Sequence, residues 1–172
     1  MKILIIEGNP IHRQAAMQQL ADHELIIMST FTEFFKKIAR DHKNAFLPQF
    51  DMLLTDVNLP SFLGRKNMGE NATGFVIVIK GLEAGIKKIG ILTEIEHHDV
   101  CKKALELWQD TELFAVGEIK ICIECFHSIF IAAKSDLAKK LVYGTPKYEE
   151  AYRKGELIPV KNWAQIVKKL SA

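Results

Sequence analysis

The chain has 172 residues, enough for one domain with a sizeable core. Hydrophobic residues make up 48% and charged residues 26%, which excludes disordered, collagen-like and low-complexity chains. Lys and Arg number 23 against 21 Asp and Glu, and a net charge of +2 builds no strong field toward nucleic acid or anionic lipid. No apolar run approaches the roughly 18–20 residues of a membrane helix. The first run, Ile3 to Ile6, is broken by Glu7, too early for a signal-peptide core. Three cysteines cannot pair completely, so a reducing, cytoplasmic setting is expected, without nucleic acid or membrane as partner.

Residues 2–7 read as a strand covered on both faces, being continuously apolar and rich in β-branched residues. Asn9-Pro10 then opens a helix, Asn as N-cap and Pro in the first turn. That helix runs to about Ala21, with Ile11, Ala15 and Leu20 expected inward. Residues 24–29 form a second apolar run. Thr30 to Glu33 has the pattern of a capping box. Phe31, Phe34, Phe35 and Ile38 follow at helical spacing. Residues 51–56 make a third strand. The loop after it, through residue 73, is long and polar. Residues 73–84 fit either strand or helix, and the alternation of the chain selects helix, with Gly85 as its cap. Residues 88–93 form a fourth strand and Asp99 to Trp108 a fourth helix. Ile119 to Cys125 is a fifth strand. Ser128 to Tyr143 is expected to be helical, and Asn162 to Leu170 is a short terminal helix.

Strands alternating with helices predict an α/β protein with a parallel sheet between helical layers. The expected organisation is an α/β domain over residues 1–126. A helical extension over 127–172 packs on that domain or completes it. Ligands of such sheets bind beyond the carboxyl ends of the strands. Three polar residues stand there: Glu7, Asp56 and Thr93. A carboxylate ending an apolar strand costs free energy unless it is solvated, paired or metal-bound. If the first and third strands are neighbours, Glu7 and Asp56 converge. Two oxygen donors so placed suit a hard cation such as Mg²⁺, with the backbone carbonyl of Asn58 as a third ligand. Thr93 offers a hydroxyl to an anion held nearby.

The segments Ile3-Leu-Ile-Ile-Glu7-Gly8-Asn9-Pro10, Leu53-Leu-Thr-Asp56-Val-Asn58-Leu59-Pro60 and Ile91-Leu92-Thr93 together resemble response-regulator receiver domains, in order and spacing, over residues 1 to about 110. The resemblance implies a flavodoxin-like, doubly wound, five-stranded parallel sheet with helices on both faces. It implies that Asp56 accepts a phosphoryl group from the phosphohistidine of a histidine kinase or phosphotransfer protein. Glu7, Asp56 and the Asn58 carbonyl would hold Mg²⁺, and Thr93 would sense the phosphoryl group and alter a surface read by a downstream protein. No classical enzyme is implied; at most the chain catalyses Mg²⁺-dependent transfer of phosphate onto itself.

The sequence departs from that pattern at three points. Gly8 stands where the family has a second acid. Glu94 follows Thr93 where a small residue is usual. The family's lysine has two candidates: Lys120, close to the expected distance from Thr93, and Lys161, whose Val160-Lys-Asn-Trp163 context resembles the usual Val-Lys-Pro-Phe. Lys161 requires an insertion of about 40 residues in the family pattern. These departures motivate the alternative of a degenerate receiver kept as a phosphorylation-independent interaction module. Arg65 and Lys66 read as a solvated loop. Cys122-Ile-Glu-Cys125, with His127 beyond, lacks the second ligand pair of a zinc site and overlaps an apolar strand, so it reads as structural, with a thiol–metal site on Cys122 and Cys125 as the weaker alternative. His97-His98 reads as the solvated start of a helix.

Overall fold

The computed structural model describes residues 1–41, 43–57, 59, 73–93, 113–125, 129–133 and 146–172. The main sheet contains β1 (Lys2–Ile6), β2 (Glu24–Met28), β3 (Met52–Thr55), β4 (Lys88–Thr93), β5 (Phe114–Val116) and β6 (Ile119–Cys125). Their order is β2-β1-β3-β4-β6-β5. The first five strands of that order run parallel, which is the flavodoxin-like arrangement; β5 adds an antiparallel edge. The sheet therefore has one strand more than the five expected. The reason is local. Val116 pairs with Ile119 across the loop Gly117-Glu118, and Gly117 adopts φ 62°. Glycine first in a two-residue loop is a hairpin signal.

Alternation along the strands builds two cores. Leu4, Ile6, Leu53, Ile89 and Ile91 face α2 (Phe31–Ala39) and α3 (Gly74–Glu83), meeting Phe34 and Ile77. Ile3, Ile5, Met52, Leu54 and Leu92 face the other way, toward Ala15 and Ala16 of α1 (Pro10–Gln19). Helix starts follow the capping residues. Asn9 Oδ1 accepts the Ile11 N–H at 2.9 Å, and Thr30 Oγ1 accepts the Glu33 N–H at 3.1 Å. The reciprocal half of the capping box is displaced, because Glu33 Oε2 takes the Ser29 N–H at 2.8 Å. Residues 74–83 are helical, and Gly85 closes that helix at φ 81°. One inward assignment is corrected: Ile11 is 43% exposed, because His12, Ala15 and Ala16 form the inner face of α1. In α2 Phe34 is the anchor, and Phe35, which shares its helical spacing, is 54% exposed.

The C-terminal third differs most from expectation. Within residues 128–143, β7 (Ile129–Ala133) is a strand, paired antiparallel with β8 (Leu157–Lys161). Alternating Ile129 and Ile131 suit a strand once a partner exists, and that partner lies some 25 residues on in sequence. The extension is thus a two-stranded sheet with α4 (Pro146–Arg153) and α5 (Trp163–Ser171), not a purely helical segment. Trp163, Ile166, Val167 and Leu170 of α5 bury into the same core as Ile3, Ile5 and Leu54. The expected fourth helix, Asp99 to Trp108, lies outside the described residues. None of the described helices is long and apolar enough to cross a membrane.

Candidate functional site

β1 and β3 are neighbours, with Ile6 opposite Thr55, so the next residue on each is an acid: Glu7 and Asp56. The Asp56 N–H donates to the Ile6 carbonyl at 3.1 Å, and the Glu7 N–H donates to the Met28 carbonyl at 3.0 Å. Both residues are buried, Glu7 at 1% exposure and Asp56 at 8%. Lys161, at the end of β8, is also buried, and its ammonium stands between them. Nζ lies 2.6 Å from Glu7 Oε2 and 2.5 Å from Asp56 Oδ2. The two carboxylate oxygens are therefore no further apart than those two contacts laid end to end.

Several groups hold this triad in place. The Asn9 N–H donates to Glu7 Oε1 at 2.8 Å, so the N-cap of α1 also orients the first carboxylate. Gln19 donates through Nε2 to the Lys161 carbonyl at 3.0 Å, and its Oε1 accepts the Ala164 N–H at 3.2 Å. Trp163 Nε1 donates to the His12 carbonyl at 3.0 Å, and the Trp163 ring lies 5.9 Å from the Lys161 ammonium. Arg13 Nη1 donates to the carbonyls of Glu7 (3.0 Å) and Gly8 (2.6 Å). Gly74 begins α3 against the same edge; a Cβ there would lie 2.0 Å from the Asp56 carbonyl oxygen.

Electrostatics follow from one cation shared by two buried acids. Burial holds the Glu7 carboxyl above its ordinary value of 4.5; Lys161 pulls it down and the Asp56 charge adds to the rise. For Lys161, burial alone would lower the ammonium's pKa. The attraction of Glu7 and Asp56 outweighs that and holds it above 10.5.

Thr93 ends β4 at the same edge of the sheet, 1% exposed. Parity sends its side chain the way of Ile89 and Ile91, the α3 face. Its Oγ1 is buried without a hydrogen-bond partner among the described residues. An unsatisfied buried hydroxyl costs about 1–3 kcal/mol, so a ligand oxygen that supplied the missing bond would be favoured.

The two lysine candidates are separated by geometry. Lys120 pairs with Lys88 at the start of β4, the opposite edge of the sheet from Asp56, whereas Lys161 touches both acids. Cys122 is buried in the core, and no three His, Cys, Asp or Glu side chains cluster as a metal site among the described residues. Asn58, Glu94, Arg65, Lys66, His97, His98 and His127 lie outside the described residues. The positioning roles of Arg13, Gln19 and Asn9 toward this site were not read from the sequence. Only Asn9 carried a signal, its capping position.

Among the described residues, the donors do not fit a divalent ion in this arrangement. A magnesium ion needs oxygen ligands at about 2.1 Å in octahedral geometry. One oxygen of each acid already accepts from the Lys161 ammonium, and the second oxygen of Glu7 accepts from Asn9.

No family model and no curated protein matches the chain. Among solved structures, the chain is similar to a response regulator receiver domain protein from Clostridium thermocellum, with a TM-score of 0.40 and 20% identity, covering 63% of this chain and 75% of that one.

Proposed function

We propose that this protein is a receiver-like signalling module that accepts a phosphoryl group on Asp56. The observation that carries the reading is the shared ammonium of Lys161 between Asp56 and Glu7, at a sheet edge that also holds the Thr93 hydroxyl, without a hydrogen-bond partner among the described residues. Asp56 is the more exposed acid, 8% against 1% for Glu7, and is assigned the attacking oxygen. A P–O bond forms at the Asp56 carboxylate as the bond from phosphorus to the donor breaks. With a phosphohistidine donor, the leaving imidazole takes a proton from water. Lys161 neutralises charge spreading over the phosphoryl oxygens, and Thr93 donates to one of them. Drawing in the Thr93 hydroxyl shifts the end of β4, which biases a surface between two states. A histidine kinase or phosphotransfer protein is the proposed donor, and a protein contacting the altered face the proposed receiver of the signal.

The test is incubation with acetyl phosphate, with and without Mg²⁺, followed by intact-mass measurement. The expected result is one added phosphoryl group, absent in Asp56→Asn. A second reading rests on Gly8 and on the position of Lys161: the fold is kept as an interaction module and phosphorylation is lost. An unmodified Asp56 under all donors, in a folded protein, selects that reading.

A further inference from the structure

We infer that Lys161 is the resident cation of this site, occupying the place of a divalent ion, and that its removal opens the Glu7–Asp56 edge to one. Three observations lead there. The ammonium contacts both acids at 2.6 and 2.5 Å, which is the bridging position a shared metal would take. The remaining Glu7 oxygen accepts from the Asn9 N–H, so a metal gains nothing from Glu7 without breaking a bond. Gly8 brings no carboxylate, and the Arg13 guanidinium is bonded to the Gly8 carbonyl at 2.6 Å and to the Glu7 carbonyl at 3.0 Å. A dication beside Glu7 therefore adds to the positive charge that Lys161 and Arg13 already bring to that residue.

Charge balance points the same way. With both acids ionised, the triad carries one net negative charge in a site where Glu7 and Lys161 are almost wholly buried. Adding a dication beside the ammonium would invert that charge. Removing the ammonium releases Glu7 Oε2 and Asp56 Oδ2 from it, two adjacent carboxylate oxygens of the kind a hard cation takes. The inference uses the same site as the proposed function, but it concerns metal occupancy and not phosphate chemistry.

Titration of the full chain with MgCl₂ by calorimetry, and with MnCl₂ by electron paramagnetic resonance, tests it without a phosphodonor. The expected result is no saturable binding to the wild-type protein at millimolar metal and one-to-one binding to Lys161→Met. The gained binding should disappear in Lys161→Met/Asp56→Asn. Lys161→Gln is the second variant should Lys161→Met fail to fold; circular dichroism reports which are folded. Saturable binding to the wild type that is lost in Asp56→Asn overturns the inference. So does a folded Lys161 variant that binds no metal. Failure of phosphorylation leaves these titrations unaffected, so the two readings fail separately.

Discussion

Lys161 sits where removal of one group exposes the cost of the others. Replacing it with Met leaves two adjacent buried carboxylates without their cation, and breaking a buried ion pair from one side costs about 3–5 kcal/mol. Urea denaturation at pH 7 should show a loss of that size. In the Lys161→Met background, Glu7→Gln should recover part of it, because Asp56 alone retains some access to water. The pH dependence has two windows. Above pH 4.5 the unfolded chain releases the Glu7 proton that the folded protein still keeps, so stability falls as pH rises through the raised Glu7 value. The contribution of Lys161 is fully present below pH 10.5 and is lost as pH rises through its raised value. Urea midpoints measured across pH should show both slopes, and Glu7→Gln should abolish the first. At this scale the sequence exposed Glu7 and Asp56, because each is an acid ending an apolar strand. It left the choice between Lys120 and Lys161 open, because the choice depends on the path of the chain between residues 126 and 161.

At the scale of elements, close approach is the controlling feature. α3 meets the end of β3 at Gly74, where a Cβ would lie 2.0 Å from the Asp56 carbonyl oxygen and 2.7 Å from the Val57 Cα. Both obstacles are backbone, so Gly74→Ala must push α3 away from the site, a loss of about 1–3 kcal/mol or more by overpacking. Thermal unfolding measures it, and a fall within error of wild type would contradict the geometry. α5 is anchored through Trp163, fully buried and bonded to the His12 carbonyl. Trp163→Ala should cost about 3–5 kcal/mol and Trp163→Phe much less. The sequence showed the start and inner face of α5, since Asn162 caps it and Trp163, Ile166, Val167 and Leu170 recur at helical spacing. It hid β7, since a strand of five residues is legible only when its partner is known, and β8 lies beyond an intervening helix. It also hid the outward turn of Phe35, whose spacing fits a buried stripe as well as that of Phe34 does.

For the molecule as a whole, the first 126 residues do not close the core. Four side chains of α5 pack on one face of the sheet beside α1, each contributing about 1.5–3 kcal/mol of apolar burial. That is comparable with the entire stability of a domain, about 5–15 kcal/mol. A chain ending at residue 126 should therefore show no cooperative urea transition, whereas the full chain should show one. The parallel sheet was legible from continuous apolar runs alternating with segments of helical spacing over residues 2–93. The share of the C-terminal segment in the core was legible only as an amphipathic helix without an address.

The ammonium that joins Glu7 and Asp56 comes from 154 residues along the chain from Glu7. On the ribosome, both acids emerge long before it does. Until residue 161 clears the exit tunnel, Glu7 and Asp56 have only water as their counter-environment. A prematurely ended translation product carries every residue of the acidic edge yet cannot neutralise it. The charge that completes the pocket thus also certifies that synthesis has passed through β8.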